Sequence, residues 1–178
     1  VNPFKARLKA GTQQIGCWQS IPGSGVSEAL ATCGFDWIVI DTEHSPLAVQ
    51  DVMPSLQAMA PYPVAPVVRV LEANTALIKQ ALDIGAQTLM VPYVESADQA
   101  RDVVAAMRYA PRGVRGMAGG TRATRFGAVP DYVTRAEAEL ATVLQVETVG
   151  APDQLDAIAT HDGVDAVNIG PADLLSRM

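Results

Sequence analysis

The chain has 178 residues, of which 49% are apolar and 18% are charged, and this composition excludes a disordered chain. Thirteen Lys and Arg against nineteen Asp and Glu give a net charge of −6, which argues against nucleic acid or an anionic membrane as the main partner. Two cysteines, Cys17 and Cys33, are too few for a disulfide scaffold. No apolar run reaches the roughly 18 to 20 residues that cross a bilayer, so we expect a cytoplasmic protein with one domain over residues 1–178.

Six short apolar runs are predicted to be β-strands. Each is rich in Val and Ile and nearly unbroken, which is typical of strands that are covered on both faces. The runs cover residues 15–19, 36–41, 65–70, 88–93, 142–147 and 164–170.

Helical segments lie between these runs and begin at recognisable N-cap residues. Ser45, Asn74 and Ser96 each precede such a segment, Pro54 is expected to kink the first of them, and a further helix is predicted over residues 130–141. Regular alternation of strand and helix predicts a parallel sheet with right-handed crossovers.

Two α/β folds satisfy this pattern: an open doubly wound sheet and a (β/α)8 TIM barrel. The doubly wound fold usually carries a glycine-rich turn after its first strand, but residues 21–25 offer only a G-x-G. A TIM barrel needs about 250 residues. The sequence therefore favours a TIM barrel of which this chain holds about the first six strands, with the last quarter expected beyond Met178.

Charged residues stand at the carboxyl ends of four of the runs: Asp41, Arg69, Glu147 and, just after the sixth run, Asp173. In a parallel barrel these ends share the rim that carries the active site. Burying an unpaired charge costs several kcal/mol, on the order of what one folded domain gains in net stability. We therefore expect these residues to share a ligand or an ion.

Glu147 and Asp173 form the predicted metal site, because oxygen ligands suit a hard divalent cation such as Mg²⁺ or Mn²⁺. A salt bridge or a helix cap is the alternative for each carboxylate. Arg69 is interpreted as a fork that binds a carboxylate or an enolate oxygen, with a buried structural ion pair as its alternative.

His44, in the loop after the second run, is within reach of this rim and could relay a proton near neutral pH; the alternative is a loop cap. The three lysines, at positions 5, 9 and 79, lie outside the strand ends, so the sequence offers no amine for Schiff-base chemistry. The Gly- and Arg-rich segment 113–125 is predicted to be a mobile lid, a subunit contact or an ordinary surface loop.

Five motifs stand out in the sequence: FDWIVIDTEH (35–44), PVVR (66–69), GVRG (113–116), QVET (145–148) and IGPADL (169–174). Together they resemble the HpcH/HpaI aldolases, which are metal-dependent, pyruvate-specific class II aldolases that include 4-hydroxy-2-oxoheptanedioate aldolase. The resemblance implies an eight-stranded barrel, and commonly a homohexamer assembled as a trimer of dimers.

The resemblance also implies roles for individual residues. Glu147 and Asp173 match the metal ligands, and Arg69 matches the arginine that binds pyruvate and stabilises its enolate. His44 matches the proton-relay histidine, which in these aldolases pairs with an aspartate that corresponds to Asp83.

Further positions match with supporting roles. Asp41 corresponds to a residue near the acceptor aldehyde and a subunit contact. Backbone N–H groups of Ala172 and Asp173 would hold the pyruvate carboxylate, and Gln145 would support the metal ligand and the substrate.

The predicted activity is the reversible cleavage of a 4-hydroxy-2-oxo acid to pyruvate and an aldehyde through a metal-stabilised pyruvate enolate. The predicted cofactor is Mg²⁺, Mn²⁺ or Co²⁺, and the partners are small molecules and further copies of the chain. Two alternatives stay open: an acyl-CoA lyase of the malyl or citramalyl type on the same barrel, and an inactive fragment with only an assembly role.

Overall fold

The computed structural model describes residues 1–176 and contains six strands and eight helices. None of the helices described in it is long and apolar enough to cross a bilayer. The strands are β1 (Gly16–Gln19), β2 (Trp37–Asp41), β3 (Ala65–Arg69), β4 (Thr88–Val91), β5 (Ala141–Val146) and β6 (Ala166–Ile169). The helices are α1 (Pro3–Lys9), α2 (Ser24–Ala31), α3 (Val49–Met59), α4 (Thr75–Asp83), α5 (Ala97–Met107), α6 (Tyr132–Glu139), α7 (Leu155–Ala159) and α8 (Pro171–Ser176), with a 3₁₀ turn at Pro152–Gln154.

All six strands are parallel, and their order in the sheet is the order in the chain, β1-β2-β3-β4-β5-β6. A doubly wound sheet reverses its strand order once, so that helices cover both faces. Here there is no reversal, and the described strands form a curled parallel sheet of the barrel type. The predicted α/β class and the positions of the six strands are confirmed, while closure with eight strands remains a prediction.

The sheet separates two apolar layers, because successive side chains of a strand point to opposite faces. One set, including Ile38, Val68 and Leu144, packs beneath the surrounding helices. The other set lies inside the curl, where Val39 and Val143 pack together with Phe4 of α1. Alternate residues of each strand therefore face the helices and the barrel interior.

Helix α1 lies across the amino ends of the strands. Its Phe4 ring meets the Trp37 ring edge-on, with centroids 6.5 Å apart. Polar side chains at its start and along its length fix it to the segments that precede β2, β4, β5 and β6. These contacts are Asn2 Nδ2 to Gln87 O at 3.1 Å, Lys5 Nζ to Leu140 O at 2.6 Å and to Asp165 Oδ1 at 3.0 Å, and Arg7 Nη1 to Asp36 O at 3.0 Å.

The predicted start of the third helix at Ser45 is wrong, because α3 begins at Val49. The Asp51 carboxylate accepts the Ala48 N–H at 2.9 Å and fixes the helix start there. The Ser45 hydroxyl instead donates to the carbonyl oxygen of Asp41 and accepts the Leu47 N–H at 3.0 Å. Ser45 therefore shapes the loop after β2.

Replacing Phe4 with alanine should destabilise the protein by about 3 kcal/mol, because the ring is 7% exposed and fills the amino end of the barrel interior. The matched control is Phe126→Ala, since that ring is 76% exposed. Equilibrium urea unfolding of both variants measures the difference, and equal losses for the two would contradict this account of α1.

Candidate functional site

The polar residues of the site continue the inward side-chain pattern that builds the barrel interior. Val39 is followed two positions later by Asp41, and Val67 is followed in the same way by Arg69. The register of β2 and β3 places Asp41 directly beside Arg69. On β5, Val143 is followed by Gln145 and then Glu147. The same alternation of side chains along the strands therefore supplies an apolar interior and, at the carboxyl ends, a polar rim.

At the carboxyl ends of the strands, these side chains line a cavity of about 450 Å³. The structure brings together every predicted site residue except Asp83. The lining residues are Trp18, Ser20, Asp41, His44, Arg69, Gln145, Glu147, Asn168, Ile169, Gly170, Pro171, Ala172 and Asp173. No lysine is among the described residues of this lining.

Arg69 is held from three sides. Its Nε and Nη2 atoms donate to the two carboxylate oxygens of Asp41, each at 2.8 Å. Its Nη1 atom lies 2.8 Å from Glu43 Oε2, an ion pair without hydrogen-bond alignment. The guanidinium carbon stands 4.5 Å from the centre of the Trp18 ring. With a side chain 7% exposed, the guanidinium has a fixed orientation toward the cavity.

Two carboxylates share this one guanidinium, and their pKa values move in opposite directions. Burial raises the pKa of Asp41, but the hydrogen bonds from Arg69 and from the backbone of Glu43 outweigh it, so the net pKa is lowered. Burial also raises the pKa of Glu43, and there the charges of Arg69 and His44 do not offset it. The bidentate contact therefore makes Asp41 the firmly ionised member of the pair.

His44 lies at the open edge of the cavity, with a side chain that is 58% exposed. Its Nε2 atom is 3.6 Å from Glu43 Oε1, and its backbone N–H donates to Asp41 Oδ1 at 3.4 Å. Glu43 thus lies between the imidazole and the guanidinium of Arg69. An imidazole that is accessible to solvent and adjacent to a carboxylate is placed to exchange a proton with a bound molecule.

Glu147 is buried, with 2% exposure, and both of its oxygens are held. Oε1 accepts the Tyr93 N–H at 3.0 Å, and Oε2 accepts Nε2 of Gln145. The carboxylate packs so closely on Gly170 that a Cβ atom there would stand 2.5 Å from Oε2. Glycine at this position is therefore a requirement of the close approach.

Asp173 lies in the first turn of α8, directly after β6, and Ala172 precedes it in the same lining. Burial, and then the negative charges of Asp173 and Glu147, raise the pKa of the Tyr93 phenol, which also donates a hydrogen bond to Asp173. Both carboxylates are therefore near one tyrosine. Tyr93 has a left-handed backbone at φ +55°, a strained conformation for a residue with a side chain.

The residues present fit a divalent cation. Four carboxylates, from Asp41, Glu43, Glu147 and Asp173, lie at or beside a cavity that holds a single guanidinium, and they leave a surplus of negative charge. The Oε1 atom of Gln145 is buried without a hydrogen-bond partner. Among residues 1–176 no group of three or more His, Cys, Asp or Glu side chains is arranged as a metal site. Two carboxylates completed by water and substrate oxygens are typical of Mg²⁺.

The pairing of His44 with Asp83 does not occur within this chain. Asp83 is the last residue of α4, which runs from the carboxyl end of β3 back to the amino end of β4. Its carboxylate accepts Nη2 of Arg115 at 2.8 Å. Asp83 and the cavity are therefore at opposite ends of the sheet, because helix α4 lies between them in the chain.

The Gly- and Arg-rich segment also lies at the amino end. Its Ala123 N–H donates to Asp83 O at 3.1 Å, and Nη1 of Arg122 donates to Ile84 O at 3.0 Å. The segment therefore does not cover the cavity of its own chain. It cannot act as a lid over that cavity from this position.

Sequence reasoning missed three contributors to the site: Glu43, Tyr93 and Trp18. Glu43 is adjacent to His44 in the motif 35–44, and Tyr93 is the final residue of the fourth apolar run. Trp18 is in the first run and faces inward. The rule that strand ends carry site residues would have identified Tyr93 if it had been applied to the fourth run as well.

The fold and the cavity define a class of protein: an α/β protein with a curled parallel sheet of the barrel type and a carboxylate-rich site at the carboxyl ends of its strands. The sequence profile described as "HpcH/HpaI aldolase/citrate lyase" matches residues 14–178. The chain belongs to this family.

Known members are close in sequence and structure. A pyruvate aldolase of Rhizobium etli is 56% identical over 174 residues, which cover 98% of this chain and 68% of the relative. A 2-keto-3-deoxy-L-rhamnonate aldolase of Klebsiella pneumoniae is 53% identical, covering 99% and 67%. A crystal structure of a family protein from Burkholderia cenocepacia superposes with a TM-score of 0.95 at 41% identity, covering 99% and 71%. These relatives support an aldolase, and hence a lyase.

Replacing Glu43 with glutamine should change how stability depends on pH. A carboxyl group whose pKa is raised by folding contributes stability below its unfolded pKa of about 4.3 and loses it as the pH rises through the folded pKa. Glu43 has such a raised pKa. Glu43→Gln should therefore become more favourable relative to the parent protein as the pH rises from about 4.3 toward neutral.

Urea unfolding across this range, without added divalent cation, measures the effect. Glu72→Gln is the control, because the Glu72 side chain is exposed and has no ion pair among those found in residues 1–176. The opposite trend, with Glu43→Gln least favourable near neutral pH, would contradict the raised pKa. Asp41 has a lowered pKa. Its contribution to stability is therefore present above its unfolded pKa of about 3.9 and is lost as the pH falls through its folded pKa.

Proposed function

We propose that this protein is a class II, divalent-metal-dependent aldolase that reversibly cleaves 4-hydroxy-2-oxo acids to pyruvate and an aldehyde. The observation that carries the proposal is the meeting of Glu147 and Asp173 with Arg69 and His44 in one cavity. This set would combine a cation site, an anion-binding guanidinium and a proton acceptor within one cavity of a size that suits a small molecule. Retro-aldol cleavage needs each of these functions.

Glu147 and Asp173 would hold the cation, which is Mg²⁺, Mn²⁺ or Co²⁺ in our proposal. Such an ion supplies Lewis-acid stabilisation of the negative charge that develops on the keto oxygen of the 2-oxo acid. Gln145 and the Tyr93 N–H fix the Glu147 carboxylate in one orientation. The first-turn N–H groups at Ala172 and Asp173 are proposed to bind the substrate carboxylate.

Arg69 is proposed to bind the 2-oxo acid and to stabilise the charge that forms when the C3–C4 bond breaks. Asp41 occupies two of its five N–H donors and Glu43 adds an ion pair at Nη1, so the remaining donors are available for substrate oxygens. Because the same contacts orient the guanidinium before substrate arrives, little reorganisation accompanies the bond cleavage. Asp41 would therefore position Arg69 as well as contact the aldehyde portion.

His44 is proposed to accept the proton of the C4 hydroxyl. As that proton leaves, the C4–O bond becomes the aldehyde carbonyl, and the electron pair of the C3–C4 bond passes into the three-carbon fragment. Protonation of C3 then gives pyruvate. Glu43, at 3.6 Å from Nε2, would favour the protonated imidazole formed in this step.

The relatives include a pyruvate aldolase and a 2-keto-3-deoxy-L-rhamnonate aldolase, which supports pyruvate as one product and a polar aldehyde as the other. The homohexamer also belongs to the proposal. Since Asp83 lies at the opposite end of the sheet from His44, their pairing needs a second copy of the chain.

Gly170→Ala should weaken Mn²⁺ binding at least tenfold, because the added Cβ would displace the Glu147 carboxylate. Electron paramagnetic resonance titration of Mn²⁺ measures affinity without relying on turnover. Gly150→Ala is the matched control, because a Cβ there meets nothing within 4 Å. Pyruvate release that persists after full metal removal, or equal Mn²⁺ affinity in the two variants, would refute the metal site.

Arg69→Lys should lower kcat/KM for pyruvate release by at least about 100-fold, equivalent to about 2.7 kcal/mol of transition-state stabilisation. Lysine keeps the charge but loses the fork that Asp41 orients. Arg101→Lys, on the exposed face of α5, should leave the rate unchanged. Thermal unfolding of both variants separates a lost fork from a lost fold, and wild-type kcat/KM in folded Arg69→Lys would exclude the role of this arginine.

A further inference from the structure

Two arginines of the Gly- and Arg-rich segment, Arg122 and Arg125, lie at the amino end of the sheet without a carboxylate partner. Neither forms an ion pair with any acidic residue in the described part of the chain. Arg122 uses one N–H on the carbonyl oxygen of Ile84, at 3.0 Å. Arg125 is exposed, and its side-chain N–H groups have no hydrogen-bond partner among the described residues.

Both arginines line a cavity of about 370 Å³ next to the end of α4. Gly85, with φ +101°, allows Arg122 to approach, since a Cβ there would stand 2.4 Å from its Nη1. The aromatic rings of Tyr132 and Phe126 form part of the wall. The cavity thus combines two guanidinium groups, an apolar frame and enough volume for a small polyatomic anion.

The local charge balance is unusual for this protein. The chain has a net charge of −6, and apart from Arg122 its half-buried and buried arginines in the described residues all have carboxylate partners. These are Arg7 with Asp36, Arg69 with Asp41, Arg108 with Glu137 and Asp162, and Arg115 with Asp83. Burial alone lowers the pKa of Arg122, which is the effect of removing a cation from water without giving it a counter-charge. A bound anion would supply that counter-charge.

The segment is built to hold this arrangement. The Thr124 hydroxyl donates within the turn, to Gly119 O at 2.6 Å, and accepts the Gly127 N–H at 3.1 Å. Arg125 and Phe126 have left-handed backbones, at φ +50° and +56°. Two consecutive left-handed residues with side chains are costly, and such conformations persist where the surrounding structure enforces them, often at binding sites.

We propose that Arg122 and Arg125 form an oxyanion-binding site at the amino end of the sheet, at the opposite end from the candidate active site of the same chain. Its ligand class is a phosphate or carboxylate group, which a guanidinium binds through paired N–H donors. The group comes either from a free small anion or from an acidic side chain of a second copy of this chain.

Isothermal titration of the full chain with inorganic phosphate, at constant ionic strength maintained with chloride, tests the free-anion source. Arg125→Gln should weaken phosphate binding at least tenfold, and it removes no contact within the described chain. Arg122→Lys keeps the charge and the means to donate to Ile84 but loses the fork, so it should also weaken binding. Arg101→Gln, which removes a paired exposed arginine, is the control.

Sedimentation velocity over a range of protein concentrations tests the second-copy source. In that case Arg125→Gln should shift the assembly to lower mass at a given concentration, phosphate should compete with assembly, and Arg101→Gln should leave the assembly unchanged. Either result supports the site and identifies the source. Phosphate binding and assembly that are both unaffected by Arg125→Gln and by Arg122→Lys would overturn the proposal and leave Arg122 as a cap of α4.

Discussion

The parallel register of β2 and β3 is the constraint on which the site depends. It sets Asp41 beside Arg69 on the inner face of the sheet, and the bidentate contact between them fixes the guanidinium. A shift of either strand by one residue would turn its charged side chain toward the helices, where the charge would face an apolar layer without its partner. The apolar alternation below the rim and the ion pair above it therefore enforce the same register.

Glu43 extends this pair into a larger electrostatic unit. One guanidinium cannot neutralise two carboxylates, so the cluster with Asp41 keeps an excess negative charge, and the neighbouring Glu147 adds to it. Burial raises the pKa of Glu43, and the negative charges of Glu147 and Asp41 add to this effect. Asp41 stays ionised because Arg69 donates two hydrogen bonds to it. A cation bound nearby would relieve the repulsion, whereas its absence leaves the cluster with an unfavourable charge.

Much of the fold could be predicted from sequence, because buried parallel strands are nearly continuous apolar runs whose ends carry the polar residues. The strand positions and most of the site lining follow from that pattern alone. Contacts that depend on tertiary approach did not follow from it: the Tyr93 N–H bound to Glu147, and the bridge formed by Glu43. The start of α3 was misplaced because Ser45 and the side chain of Asp51 both offer a plausible cap, and only the loop geometry after β2 decides between them.

The helices contribute partial charges of opposite sign to the two ends of the sheet. Each helix that follows a strand begins near the carboxyl end of the sheet, so its positive amino terminus partly offsets the carboxylates there. At the other end, helix carboxyl termini present unpaired carbonyl groups, and Ile84 at the end of α4 accepts a hydrogen bond from Arg122. The helix dipole can therefore hold an arginine in place without neutralising it. An arginine held in this way keeps its charge available to an external anion. An arginine that is already paired with a carboxylate, such as Arg115, does not.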